Sequence, residues 1–111
     1  MPKALDPKIV FTAMFDAARG SVGDDVPEAR KYVESAARNL AANTREVAEW
    51  LAKGEVTHEQ AKALMRMHAR SAKMALTAAE TIGLATAERA VNAALAAVKD
   101  LVNGAVGFRL L

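Results

Sequence analysis

Apolar residues recur at intervals of three and four along most of this 111-residue chain, which is the repeat of one face of an α-helix. Three stretches carry this repeat, and turn-forming residues separate them. The pattern therefore predicts an all-α protein. Its length is normal for one compact unit, so we expect a single helical domain over residues 1–111.

The first predicted helix covers about residues 7–19. Asp6 begins it, and Pro7 occupies the first helical position, where proline is favoured. The helical spacing is carried by Ile9, Val10, Ala13, Met14, Ala17 and Ala18. The run of glycine, serine and valine over residues 20–23 breaks the pattern, so we expect the helix to end before it.

The second predicted helix covers about residues 26–53. Asp25 and Glu28 have the spacing of a capping box, with a proline between them in the first turn. Gly54 follows the last turn and fits the left-handed position that glycine occupies without strain. The connection over residues 54–57 is short, which predicts an antiparallel helical hairpin.

The third predicted helix covers about residues 58–102. Thr57 and Gln60 form a second capping box at its start, and no stop signal follows before Asn103. Such a helix of some 45 residues is about 68 Å long at ~1.5 Å per residue. Gly83 costs about 1 kcal/mol relative to alanine, but the apolar repeat continues through it. We therefore expect an elongated hairpin, followed by a short apolar segment over 104–111.

Residues 81–106 are the most informative stretch, because they are apolar around nearly the whole helix. A helix that is apolar on all sides must be buried on all sides, and a 111-residue chain offers little to cover it. Rows of small residues there favour close helix–helix packing. We therefore expect oligomerisation to complete a bundle, through an interface formed by Ala75, Ala79, Gly83, Leu84, Ala87, Ala90, Val91, Ala94, Leu95, Val98 and Phe108. Packing of the same rows within one chain is the alternative.

Composition points in the same direction. Apolar residues make up 52% of the chain, which excludes a disordered protein. Alanine accounts for 26 of these apolar residues. Alanine buries little surface, so such a core depends on close approach of the backbones. A small alanine-rich domain therefore gains much from self-association.

A basic stripe runs along the first half of the third predicted helix, through Lys62, Arg66, Arg70 and Lys73. It could contact the phosphates of a nucleic acid or a lipid-like surface. The alternative is a solvated helix face whose positive charges are balanced by Glu46 and Glu49 across the hairpin. Because the net charge is only +2 and no aromatic residues interleave with the stripe, nucleic acid is the less favoured partner.

No residue set indicates catalysis or a cofactor. The chain contains no cysteine and no phosphate-binding glycine motif, and its two histidines stand alone. His68 falls on the apolar face, where a packing role is more common than a metal ligand. We expect neither an enzyme nor a metal site.

No signal peptide and no membrane span are expected. Asp6 and Pro7 interrupt the N-terminal apolar stretch, and Glu80, Glu88 and Arg89 interrupt the longest apolar window. With no cysteine, the sequence favours a cytoplasmic location or an intracellular assembly.

The function favoured by the sequence is a non-enzymatic structural or assembly protein that self-associates, such as a component of a phage or other particle. One alternative is an amphipathic module that binds nucleic acid or a lipid-like surface through the basic stripe. Another is an accessory protein that docks on a different protein. The particle component is an expectation from fold-level analogy.

Overall fold

Four α-helices account for most of the chain in the computed structural model, which describes residues 5–23 and 27–111. They are α1 (Pro7–Val22), α2 (Pro27–Ala52), α3 (His58–Thr77) and α4 (Leu84–Val106). No strand occurs within those two ranges. The all-α prediction is confirmed.

The helices pack as a bundle in which sequence neighbours are also spatial neighbours. α1 lies against α2 and, most extensively, against α4, while α3 lies against α2 and α4. α2 and α4 also meet across the centre. The connections between successive helices are short, which is typical of helices that pack beside their sequence neighbours in a bundle.

The prediction of one long helix over residues 58–102 is wrong. The chain forms two helices there, α3 and α4, separated by a turn over residues 78–83. The bundle is 43 Å along its longest axis, which is too short for the 68 Å rod expected from a continuous helix. The second half of the expected rod instead folds back along the first three helices.

The turn between α3 and α4 is held by burial at two of its positions. Ala79 and Ile82 are only 5% and 3% exposed, and tight backbone hydrogen bonds connect residues 78, 79 and 82 to the carbonyls three positions earlier. Gly83 then adopts an extended conformation and forms the N-cap of α4. Burial of Ile82 therefore accompanies a chain reversal where the sequence pattern indicated continuity.

The helix ends agree with the sequence at several capping residues. Asp6 accepts a hydrogen bond from the backbone N–H of Lys8, at 2.9 Å. Thr57 and Gln60 form the reciprocal capping box, with bonds of 2.9 and 3.1 Å, which confirms that prediction. The predicted box between Asp25 and Glu28 lies outside what the structure describes.

Gly54 follows the end of α2 in a left-handed conformation, as predicted. Its φ is +72°, and the amides of Gly54 and Glu55 donate to the carbonyls of Leu51 and Trp50. This is a Schellman motif, in which a left-handed residue satisfies the last carbonyls of a helix. By contrast, α1 continues past the expected end at residue 19, to Val22, and Gly23 ends it with a φ of +92°.

The core consists largely of alanine. Among the apolar residues that the structure describes as buried, 13 of 25 are alanine, and the largest fully buried side chains are those of Met14 and Leu76. Thr44 is the buried polar residue of this core, and its hydroxyl donates to the carbonyl of Leu40 at 2.7 Å. The interior therefore depends on close helix approach rather than on bulky side chains.

The C-terminal segment folds back over the chain's own helices. α4 continues to Val106, beyond the expected end at 102, and Gly107 then turns the chain with a φ of +65°. The side-chain oxygen of Asn103 accepts hydrogen bonds from the amides of Leu110 and Leu111, both at 2.9 Å. Leu110 is 5% exposed. These contacts define a C-terminal strap, residues 107–111.

Candidate functional site

The basic stripe of α3 lies beside the stripe that α3 buries. Its spacing of three and four residues places all members on one side of the helix, and Arg66, Arg70 and Lys73 face α4. Arg66 and Arg70 are exposed, whereas Lys62 and Lys73 are half-buried. The buried stripe that fixes the rotation of α3 in the bundle comprises Ala61, Met65, Ala72 and Leu76.

Three members of the basic stripe line one open groove between α3 and α4. Its volume is about 260 Å³. The floor includes Val91, which is 5% exposed, and Ala69 beside it. The groove, hereafter the α3–α4 groove, is lined by Arg66, Ala69, Arg70, Lys73, Glu88, Val91 and Asn92.

The charge of the α3–α4 groove is predominantly positive. Among the described lining residues, two guanidinium groups and one ammonium group face one carboxylate, that of Glu88. Among the described residues, no carboxylate lies within 4.0 Å of the nitrogens of Arg66, Arg70 or Lys73. The positive charge of the groove is therefore not neutralised by ion pairs in the described part of the chain.

Lys62 contacts the C-terminal strap. Its ammonium nitrogen lies 5.3 Å from the ring centre of Phe108, a cation–π distance. Phe108 also stacks on His58, with ring centres 3.8 Å apart. The strap therefore holds the first turn of α3, and Lys62 is engaged there rather than in the groove.

The alternative interpretation places Glu46 and Glu49 opposite the basic stripe, where they balance its charge. In the structure, Glu49 instead pairs with a residue of its own helix. The carboxylate of Glu49 accepts a hydrogen bond from Lys53 of its own helix at 2.7 Å. This bond and the charge of Lys53 lower the pKa of Glu49. The same bond and the charge of Glu49 raise the pKa of Lys53. Both side chains are largely exposed, so the pair stabilises the fold little.

An apolar ridge runs along α3 beside its exposed arginines. Met67 and Met74 are 53% and 66% exposed, and they lie two turns apart. Arg70 is a surface neighbour of both, since it is three residues from one and four from the other. Leu84, 62% exposed, begins α4. Basic and apolar surface therefore adjoin along α3.

The residues predicted to form a subunit interface divide into two groups. Most are covered inside the chain, because α4 folds back onto the other helices. These buried residues are Ala79, Ala87, Ala90, Val91, Ala94 and Val98. Of the rest, Leu95 and Phe108 are half-buried, and Ala75, Gly83 and Leu84 are exposed. The apolar surface of α4 is thus largely buried within one chain.

One surface feature was not anticipated from the sequence. Phe11 and Phe15 stack on each other in α1, with ring centres 5.6 Å apart. The guanidinium of Arg38 lies over Phe11 at 5.5 Å, and those of Arg19 and Arg30 lie over Phe15. The four-residue spacing of the two phenylalanines was the available signal, because that spacing brings two rings together on a helix surface.

The described residues form neither a metal-ligand cluster nor a membrane-spanning helix. Across residues 5–23 and 27–111, no three histidine or acidic side chains are grouped as a metal would require, and His68 is half-buried. No helix in those ranges has the length and hydropathy needed to cross a bilayer. The α3–α4 groove is therefore the feature with the clearest chemistry.

No protein-family model, curated protein or solved structure matches this chain.

Proposed function

We propose that this protein is a non-enzymatic binding module that takes an anionic partner in the α3–α4 groove. One observation carries the proposal: Arg66, Arg70 and Lys73 converge on one open cavity, and no carboxylate of the described residues lies within ion-pair distance. Three neighbouring positive charges facing one carboxylate, with none of them in ion-pair contact among the described residues, raise the local potential and attract a negatively charged partner.

The chemistry of the lining supports binding rather than catalysis. The groove offers two guanidiniums, an ammonium, a carboxylate and an amide above an apolar floor. Guanidiniums hold carboxylates and phosphates through paired hydrogen bonds. The lining contains no hydroxyl, thiol or imidazole that could act as a nucleophile beside a base.

The test is charge reversal in the α3–α4 groove. Arg66→Glu combined with Arg70→Glu is compared with Lys8→Glu combined with Lys31→Glu, which changes the net charge equally at exposed sites of α1 and α2. The probes are labelled poly-L-glutamate and a labelled single-stranded oligonucleotide, followed by fluorescence anisotropy. We expect the groove variant to lose at least about tenfold in affinity for a probe that binds, and the control to lose much less.

Two results would contradict the proposal. One is an equal loss in both double variants, which would indicate a response to net charge alone. The other is an absence of binding to either probe at about 50 mM salt, where screening is weaker than at physiological ionic strength.

Self-association, favoured by the sequence, is the second candidate function. Its support is now the exposure of Met67, Met74 and Leu84, since most of the α4 row is covered within the chain. Light scattering tests it: a structural or assembly protein should have a solution mass well above the 11.8 kDa of one chain. The combined change of these three residues to serine should then return the mass to that of a monomer. A monomeric wild-type protein would remove this candidate.

A further inference from the structure

We infer that the partner of the α3–α4 groove is an acidic amphipathic helix of another protein, which places glutamate or aspartate side chains in the groove and apolar side chains on the adjoining methionine ridge. The inference rests on the proposed function and goes further, because it names the shape and the second chemistry of the partner. It is carried by the adjacency of two different rows on α3, one basic and one apolar.

The spacing of the two rows matches that of a second helix. Arg66 and Arg70 are four residues apart, which is about 6 Å along the axis at ~1.5 Å per residue. Met67 and Met74 are seven residues apart, about 10.5 Å, or close to two turns. A helix lying along α3 repeats its own side chains at the same intervals, so its carboxylates and its apolar side chains can meet both rows at once.

The methionine ridge is apolar surface without a covering element in the described structure. The side chains of Met67 and Met74 are more than half exposed, although the apolar residues at 65 and 72 on the same helix are buried. Methionine is flexible and polarisable, and it is common on surfaces that accept helical segments. A partner that only neutralised charge would leave this ridge in water.

The opposite wall of the groove favours a protein over a nucleic acid. Glu88 contributes a carboxylate that repels a phosphate backbone but pairs with a lysine or arginine placed between the acids of a partner helix. Asn92, one turn further along α4, adds an amide that can both donate and accept. No aromatic ring lines the groove, so the stacking that holds single-stranded nucleic acids is missing there.

The experiment uses a defined peptide as the partner. It is about 18 residues long, roughly 27 Å as a helix, with a row of glutamates beside a row of leucines. A second peptide has the same composition in an order that breaks both rows. Both are labelled and titrated with the intact protein, alongside poly-L-glutamate, a single-stranded oligonucleotide and vesicles containing phosphatidylserine.

Two matched variants separate the apolar row from the basic one. Met67→Ser with Met74→Ser removes the ridge, and Ile9→Ser is its control, because Ile9 is 56% exposed on α1, outside the groove. We expect the ridge variant to lose about tenfold in affinity for the ordered peptide, which corresponds to about 1.4 kcal/mol. It should bind poly-L-glutamate as the wild type does, and Ile9→Ser should bind both ligands normally.

The outcomes distinguish the inference from the proposed function. If Arg66→Glu with Arg70→Glu weakens every anionic ligand but the ridge variant binds the ordered peptide normally, the groove binds anions and the amphipathic helix is wrong. Tighter binding of the oligonucleotide or of the vesicles than of the ordered peptide would also overturn the inference. Equal affinity for the two peptides would do the same, since only the ordered one presents two rows.

Nuclear magnetic resonance of the methionine methyl groups gives an independent readout. The chain has five methionines, and we expect the ordered peptide to shift the methyl signals of Met67 and Met74. The signals of Met14 and Met65, which lie in the core, should stay in place. Shifts confined to other methionines would place the peptide elsewhere and contradict the inference.

Discussion

Ala90 and Gly83 belong to similar rows of small residues, but their surroundings in the structure differ. Both were expected in a helix–helix interface between chains. Ala90 is fully buried within the chain, whereas a Cβ added at Gly83 would meet no atom within 4 Å. The sequence could identify both as positions without bulk, but it could not tell which of them has a neighbour.

The first prediction compares leucine at these two positions. Ala90→Leu should destabilise the fold by about 3 kcal/mol, the upper end of overpacking costs, because three further carbon atoms have no room in the core. Gly83→Leu should cost less than about 1 kcal/mol, since it exchanges one N-cap residue for a poorer one in open space. Urea unfolding followed by circular dichroism measures both, and equal losses would contradict the packing described for α4.

At the scale of elements, the sequence predicted the well-capped ends and missed the turn. The helix caps at Thr57, Gln60 and Gly54 involve only residues a few positions apart. Their spacing in the sequence is therefore enough to predict them. The break over residues 78–83 accompanies burial of Ile82 in a core to which all four helices contribute. The apolar repeat remains in phase across that break, and periodicity alone therefore indicated one helix.

The second prediction concerns the capping box of α3. Thr57→Ala removes the side-chain acceptor of the Gln60 amide and should cost about 1 kcal/mol of stability. Thr77→Ala is the matched control, because Thr77 lies at the other end of α3 and its hydroxyl bonds only the carbonyl of Met74. The urea concentrations at the midpoint of unfolding give the comparison, provided that the free energy of unfolding falls with urea at the same slope in both variants. A loss at Thr77 as large as that at Thr57 would argue against a specific capping effect.

At the scale of the whole molecule, the sequence correctly predicted helices but assumed too little cover for residues 81–106. A continuous hairpin leaves that stretch exposed on several sides, whereas a chain reversal at residue 78 places it against α1, α2 and α3. The basic stripe was recognised on α3, but its groove has a second wall supplied by Glu88 and Asn92. That wall exists only because α4 returns along α3, so sequence spacing could not define it.

The third prediction concerns the C-terminal strap, which joins the end of α4 to the start of α3. Asn103→Ala leaves the amides of Leu110 and Leu111 without their acceptor and should cost about 1–2 kcal/mol. Hydrogen exchange at these two amides should accelerate as the strap opens. Asn39→Ala, at an exposed position of α2, is the control. Unchanged exchange at both amides would show that the side chain of Asn103 does not hold the strap.

The alanine-rich interior has a consequence for how this protein can be dissected by mutagenesis. Replacing residues one by one with alanine reports the worth of a side chain only where there is a side chain to remove. Here 13 of the 25 buried apolar residues described are already alanine. Such a scan would therefore give no measurement at about half of these core positions. A scan that enlarges each position, to valine or leucine, would instead trace the helix contacts directly, because the smallest residues mark where the backbones come closest.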